Sequence, residues 1–143
     1  LVIRVNAWPV AGVIPIIYSK FGTGALGHRY IINDAGLQRV DWWAANGQRL
    51  NGNSTTALTA GTIYIIGFSY DGAGNLIFYR SGVADGTVSN ALMDSLLTAK
   101  AVEIGNNSNY PALGNNTIGL IAVHNELKTP RFFRDAAHIG GFL

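Results

Sequence analysis

The sequence contains no cysteine, few charged residues and no long apolar run, and each absence excludes a class of protein. Without cysteine, the 143-residue chain has no catalytic thiol, no thiolate metal site and no disulfide-stapled scaffold. Charged residues make up only 13%, and the ten lysines and arginines are scattered, so the sequence shows no basic cluster typical of nucleic-acid binding. No run approaches the roughly 18 apolar residues that a membrane-spanning helix needs.

Acidic residues are too few and too isolated to predict an enzyme. The only two glutamates are Glu103 and Glu126, and Asp41 is the only acid in its strand. A glycosidase requires two carboxylates that face the scissile bond. The sequence also lacks the Gly-x-Ser-x-Gly motif that would indicate a serine hydrolase. The sequence therefore predicts a non-catalytic protein.

What the sequence does contain is a regular succession of short strands separated by turn residues. Aromatic and β-branched runs predict strands at 2–8, 13–19, 28–33, 37–44, 62–70, 75–80, 83–88, 101–105 and 117–124. Their separators are rich in Gly, Asn, Ser and Thr, including a two-residue turn at Ser81-Gly82.

This rhythm predicts an all-β fold of two stacked antiparallel sheets, with one or two short helices. The helices are expected near 89–98 and 129–138, where apolar residues have helical spacing and Ser89 and Thr129 are suitable N-caps. No composition shift or linker divides the chain, so 1–143 is predicted to form one domain.

The order of these elements resembles the concanavalin A-like, laminin G-like jelly-roll domains. The segments that carry the resemblance are "IIYSK" (16–20), "YIINDAGLQRVDWWAANG" (30–47), "LTAGTIYIIGFSYDGAGNLIFYRSGVADG" (58–86), "VEIGNNS" (102–108) and "NNTIGLIAVHNELKTPRFFRDAA" (115–137). Two positions depart from the family pattern: Ile63 stands where a tryptophan is common, and Ser81 replaces an acidic turn residue. The resemblance implies a β-sandwich whose members commonly recognise glycans or protein surfaces.

A third departure concerns the N-terminus. In the resembled family, an additional strand pairs with the closing strand, which here is "TIGLIAVHN" (117–125). An unpaired strand edge invites pairing with another segment. We expect either that a neighbouring chain or upstream segment pairs there, or that "LVIRVNAW" (1–8) takes the place. The start at Leu1 favours a processed product or a piece of a longer polypeptide.

The stretch "VDWWAANG" (40–47) is the most informative for binding. Because side chains alternate between the faces of a strand, Val40 and Trp42 are predicted to face the core. Arg39, Asp41 and Trp43 then face solvent, where the indole could stack on a sugar ring and the charges bond its hydroxyls. The alternative is that Trp43 is covered by a loop or partner.

Other candidates lie in Asn-rich loops. Tyr110, which could lie on a loop rim, and Asn107 and Asn109 are further candidates for ligand binding. Asp34 and Asp71 are weak candidates for a calcium ion, because calcium prefers several carboxylates and a role in turns explains such residues better. No other cofactor is expected.

These observations predict a non-catalytic recognition module that binds a glycan or a protein surface. The expected setting is extracellular or on a virion, in a tail fibre, adhesin or head decoration. The reason is that a composition without cysteine, with short loops rich in Asn and Gly, suits a bacterial or phage particle. The alternative is a structural decoration protein whose surface is buried against neighbouring subunits. A homo-oligomer or larger assembly is expected in either case, with no nucleic-acid partner.

Overall fold

The computed structural model describes residues 2–4, 16–20, 27–44, 47–90, 103–104, 117–120, 131, 132 and 135. Its ten strands are β1 (Val2–Arg4), β2 (Ile16–Lys20), β3 (Gly27–Ile32), β4 (Gln38–Trp43), β5 (Arg49–Asn53), β6 (Ile63–Tyr70), β7 (Asn75–Arg80), β8 (Val83–Ser89), β9 (Glu103–Ile104) and β10 (Thr117–Leu120).

The strands form two antiparallel sheets of five strands each. The first has the order β10-β1-β6-β7-β8 and the second has the order β5-β4-β3-β2-β9. Consecutive hairpins supply most pairings, as expected from short turns rich in glycine and asparagine. The prediction of an all-β, two-sheet antiparallel sandwich is confirmed.

The core lies between the sheets and is rich in aromatic rings. Trp42 contacts Tyr70 with ring centroids 4.7 Å apart, and Tyr30 meets Phe68 edge-on at 5.1 Å, so both pairs join the second sheet to the first. Val40 and Trp42 are fully buried, as predicted from alternation along β4. The apolar side chains of the two inner faces therefore drive the stacking of the sheets.

The N-terminal segment occupies the place left open in the resembled family. β1 pairs with β10 on one side and with β6 on the other, both antiparallel. Of the two expected outcomes, pairing by the chain's own "LVIRVNAW" segment is the one observed. β10 is consequently the edge strand of the first sheet among the described residues.

β5 is a strand that the sequence did not predict. Its residues, "RLNGN", read as part of a turn-rich separator because Asn and Gly have low strand propensity. Pairing with β4 from Arg39↔Asn53 to Trp43↔Arg49 overrides that propensity.

The predicted helices are only partly observed. Ser89 belongs to β8, Asn90 has no regular secondary structure, and residues 91–98 of the first predicted helix lie outside the described residues. Arg131, Phe132 and Asp135 are helical, within the second predicted helix. Among the residues the structure describes, none of the helices has the length and apolar character to cross a bilayer.

Two predicted turns have the expected geometry. Ser81 and Gly82 both have positive φ, 49° and 81°, as a two-residue hairpin of type I′ requires. In the 71–75 turn, Asp71 Oδ1 accepts hydrogen bonds from the backbone N–H groups of Ala73 and Asn75. These bonds, with one from the Asn75 side chain as the largest cause, lower the pKa of Asp71.

Candidate functional site

Three neighbouring strands of the second sheet place charged and aromatic side chains on its outer face. Alternation along β4 points Arg39, Asp41 and Trp43 away from the core. The antiparallel register sets Arg29 of β3 opposite Asp41, and Arg49 of β5 opposite Trp43. We call these five residues the arginine–tryptophan face.

Asp41 is the centre of the arginine–tryptophan face. Its Oδ2 accepts from Arg29 Nε at 2.7 Å and from Arg49 Nη2 at 2.9 Å, and its Oδ1 accepts from Arg39 Nε at 2.7 Å. The carboxylate has no exposure to solvent. Such a buried charge is tolerated because both oxygens are bonded to cationic donors.

Trp43 packs against the same arginines. The guanidinium carbons of Arg29 and Arg49 each lie 5.3 Å from the centre of its indole, a distance suited to cation–π attraction. Both groups also bond to the same oxygen of Asp41, so their carbons are separated by no more than roughly 8 Å.

The accessible part of the arginine–tryptophan face lies over β4 and β5. The side chain of Arg29 is only 3% exposed, whereas those of Arg39 and Arg49 are 22% and 45% exposed. Trp43 is partly exposed, and Asn51 and Asn53 of β5 are exposed beside it. On β2 and β3, Ser19 and Ile31 of the same face are buried. A ligand would therefore reach this face from the β5 side.

The sequence-based description of these residues needs two corrections. Asp41 does not face solvent: it is fully buried and both of its oxygens accept from arginines, so its carboxylate does not offer acceptors to a sugar. The basic residues are not scattered in space either, because pairing of β3, β4 and β5 gathers three of the seven arginines around one acid.

Sequence reasoning missed Arg29 and Arg49. A usable signal exists: folding a hairpin about the "NDAG" turn at 33–36 brings Arg29 opposite Asp41, and such opposite-charge pairs are favoured across antiparallel strands. Arg49 had no comparable signal because β5 itself was not predicted.

The other predicted site residues are not brought to this face by any described contact. Tyr110, Asn107 and Asn109 lie outside the described residues. Asp34 is exposed in the 33–36 turn, and both oxygens of Asp71 are bonded within its own turn. In the described part of the chain, no group of three or more His, Asp or Glu residues could hold a metal ion.

A second polar feature lies on the inner face. His28 is buried between Tyr18 and Trp42, with ring centroids 5.0 Å and 5.6 Å away. Burial, together with the charge of Lys20, lowers the pKa of His28 to about 4. His28 Nδ1 and Trp42 Nε1 are buried without a hydrogen-bond partner. This histidine is therefore neutral at pH 7, and we interpret it as part of the core.

Comparison with known proteins identifies a fold. No protein-family model and no curated protein matches the chain. Among solved structures, the chain is similar to the CBM40 of a Ruminococcus gnavus IT-sialidase, bound to α2,3-sialyllactose, with a TM-score of 0.57 and 10% identity. The match covers 74% of this chain and 61% of that one. The shared architecture is a β-sandwich.

An S-layer domain-containing protein from Clostridium thermocellum also matches, with a TM-score of 0.39 and 17% identity, over 94% of this chain and 68% of that chain. This second likeness is too distant to support an argument. The similarity to the first structure, at 10% identity, concerns the fold alone.

Proposed function

We propose that the chain is a non-catalytic recognition module that binds a glycan on the arginine–tryptophan face. The observation that carries the proposal is the partly exposed Trp43 held over an ordered cluster of guanidinium groups. An indole offers a flat apolar surface to the C–H face of a pyranose, and arginine N–H groups donate to sugar oxygens. Few other residue combinations supply both contacts on one sheet face.

Contacts within the chain also hold the residues of the site in place. Strand pairing fixes the backbone on both sides of β4, and Asp41 orients Arg29, Arg39 and Arg49 through charge-assisted hydrogen bonds. A rigid surface loses little conformational entropy on binding. This favours recognition of a small polar ligand over a purely passive surface.

The comparisons support this proposal by analogy. The similar β-sandwich from Ruminococcus gnavus was solved with a bound oligosaccharide. We assign the chain to the concanavalin A-like, laminin G-like class, with an extracellular or virion location. Two of the described acids, Asp41 and Asp85, are buried and pair with arginines, which gives them a structural role.

A glycan array with purified protein, followed by titration of the strongest hit, tests the proposal. We expect Trp43→Ala to weaken binding at least tenfold while the protein remains folded. Val83→Ala, at an exposed position in the first sheet, is the matched control and should bind like the wild type. Unchanged affinity in Trp43→Ala would move the site elsewhere, most directly to the asparagine-rich segment 106–116.

One observation favours a second function, that of an assembly subunit. β10 is the edge of the first sheet in the described residues, and Thr117–Leu120 contain neither charge nor proline to block strand addition. Light scattering together with hydrogen exchange of residues 117–120 tests this alternative. A monomer in which these amides exchange quickly would argue against a subunit joined through this edge.

A further inference from the structure

We propose that the ligand is an acidic glycan, whose carboxylate or sulfate is bound by Arg39 and Arg49 while Trp43 packs on the sugar. This inference rests on the proposed function, since it names the ligand class of the same face. It depends on the charge balance of the face and on the hydrogen-bond donors of its two accessible arginines.

The charge balance is positive. Three guanidinium groups surround one carboxylate, so the arginine–tryptophan face carries an excess of two positive charges. Arginine stays protonated at any physiological pH, so this excess is permanent. Asp41 cannot neutralise it further, because its single charge is already shared among three cations.

A purely structural explanation accounts for only part of the cluster. The buried Arg29 needs Asp41 as its counterion, and that pair alone would satisfy both charges. Arg39 and Arg49 add two more cations at the accessible rim, where each repels the others across a short distance. A bound anion would relieve this repulsion, so the arrangement favours negatively charged ligands over neutral ones.

Arg39 and Arg49 have further hydrogen-bond donors besides those that bond to Asp41. A guanidinium group carries five N–H donors. The bond to Asp41 engages Nε of Arg39 and Nη2 of Arg49. The remaining N–H groups of these partly exposed side chains form planar forks that match the two oxygens of a carboxylate or sulfate.

Trp43 sets the position of the sugar relative to the anionic group. It lies directly opposite Arg49 in the register of β4 and β5, and it is four residues from Arg39 on the same face, with Asp41 between them. Directly opposed side chains on antiparallel strands are about 5 Å apart at Cβ, which is close to the width of one pyranose ring. One acidic sugar can therefore contact the indole and the Arg49 guanidinium at once.

Matched sugars test the inference by isothermal titration calorimetry. The probes are lactose, sialyllactose, the methyl ester of sialyllactose and lactose sulfate, with trigalacturonate and its methyl ester as a second scaffold. We expect each acidic sugar to bind at least tenfold more tightly than its neutral counterpart. We also expect the affinity of the acidic sugars to fall as salt is raised from 50 to 500 mM, because salt screens charge pairs.

Variants locate the interaction. Arg49→Gln should lower the affinity for acidic sugars about tenfold and leave neutral sugars unaffected, while Arg29 and Arg39 still hold Asp41. Arg49→Lys should recover only part of the loss, since it keeps the charge without the fork. Arg131→Gln removes the same charge from a side chain that is 81% exposed elsewhere and should change nothing.

The outcomes separate the two proposals. If the acidic and neutral members of each pair bind with equal affinity, and binding is still lost in Trp43→Ala, the inference of an acidic ligand is overturned. The proposal of a glycan-binding module would then still stand. Tight binding of only the sulfated or only the carboxylated sugars would support the inference and identify the anion. Failure of every probe, together with an empty glycan array, would overturn both.

Discussion

Asp41 is a fully buried carboxylate whose two oxygens are shared among three guanidinium groups. Strands β3, β4 and β5 each supply one of these arginines, so Asp41 links side chains on the outer face of all three strands. Removing the carboxylate would leave the buried Arg29 without a counterion, and an unpaired buried charge is strongly unfavourable.

We therefore expect Asp41→Asn to lower the free energy of unfolding by about 3–5 kcal/mol, as measured by urea denaturation. Arg49→Gln is the matched control and should cost less than about 1 kcal/mol, because its side chain is 45% exposed. A loss in Asp41→Asn as small as that of the control would show that the cluster contributes little to stability.

His28 makes the stability of the fold sensitive to acid. Its pKa is about 4 in the folded protein and close to 6.5 in the unfolded chain, so the unfolded state binds the proton more tightly. Stability is therefore fully present above pH 6.5 and falls as the pH drops towards 4, by about 3 kcal/mol from this residue.

Urea denaturation at pH 7 and pH 4.5 tests this prediction. In His28→Phe, whose ring can pack between Tyr18 and Trp42, we expect a smaller loss between the two pH values than in the wild type. Identical losses in both proteins would assign the acid sensitivity to other groups.

The sequence of β5 is constrained by the strands that pack against it. It belongs to the second sheet, but it also approaches β8 of the first sheet, where Gly52 packs against Val88. A Cβ added to Gly52 would lie 2.6 Å from Val88 Cγ2, closer than side-chain carbons pack. Glycine in this strand is therefore required by the close approach of the two sheets and not by a turn.

We expect Gly52→Ala to destabilise the protein by about 1–3 kcal/mol, because the rigid valine side chain must shift. The same substitution in a Val88→Ala background should cost much less, since the opposing methyl groups are gone. Thermal or urea unfolding of the four proteins of this double-mutant cycle measures the coupling. Equal costs in both backgrounds would exclude the Val88 contact as the cause.

At the scale of the whole molecule, the first sheet joins distant parts of the chain. β1 lies between β10 and β6, so residues near 3, 64 and 118 pair side by side. Whichever way the backbone N–H of Ile3 points, it faces a strand with which β1 pairs. We therefore expect this short strand to contribute to the stability of the sandwich.

Ile3→Pro should therefore lower the free energy of unfolding by about 3 kcal/mol or more, because proline removes a ladder hydrogen bond from an interior strand. Faster hydrogen exchange of residues 117–120 should accompany the loss. Ile3→Val keeps the N–H group and is the control. A proline variant as stable as that control would show that β1 contributes little.

The sequence by itself determined the strand rhythm, the antiparallel sandwich and the inward position of Val40 and Trp42. These features depend on local alternation and turn chemistry, which act between residues close in the chain. Ser81-Gly82 is such a case, since the positive φ of its turn follows from two adjacent residues.

Only the tertiary structure decided the existence of β5, the position of β1 and the burial of Asp41. Each depends on contacts that form only between assembled strands: β5 packs on Val88 of the other sheet in addition to pairing with β4, and β1 pairs with the distant β6 and β10. Asp41 was expected to face solvent because it alternates with the inward-facing Val40 and Trp42, yet it is fully buried and pairs with arginines of the two adjacent strands. Such contacts form only when the sheets assemble, so local sequence patterns do not predict them.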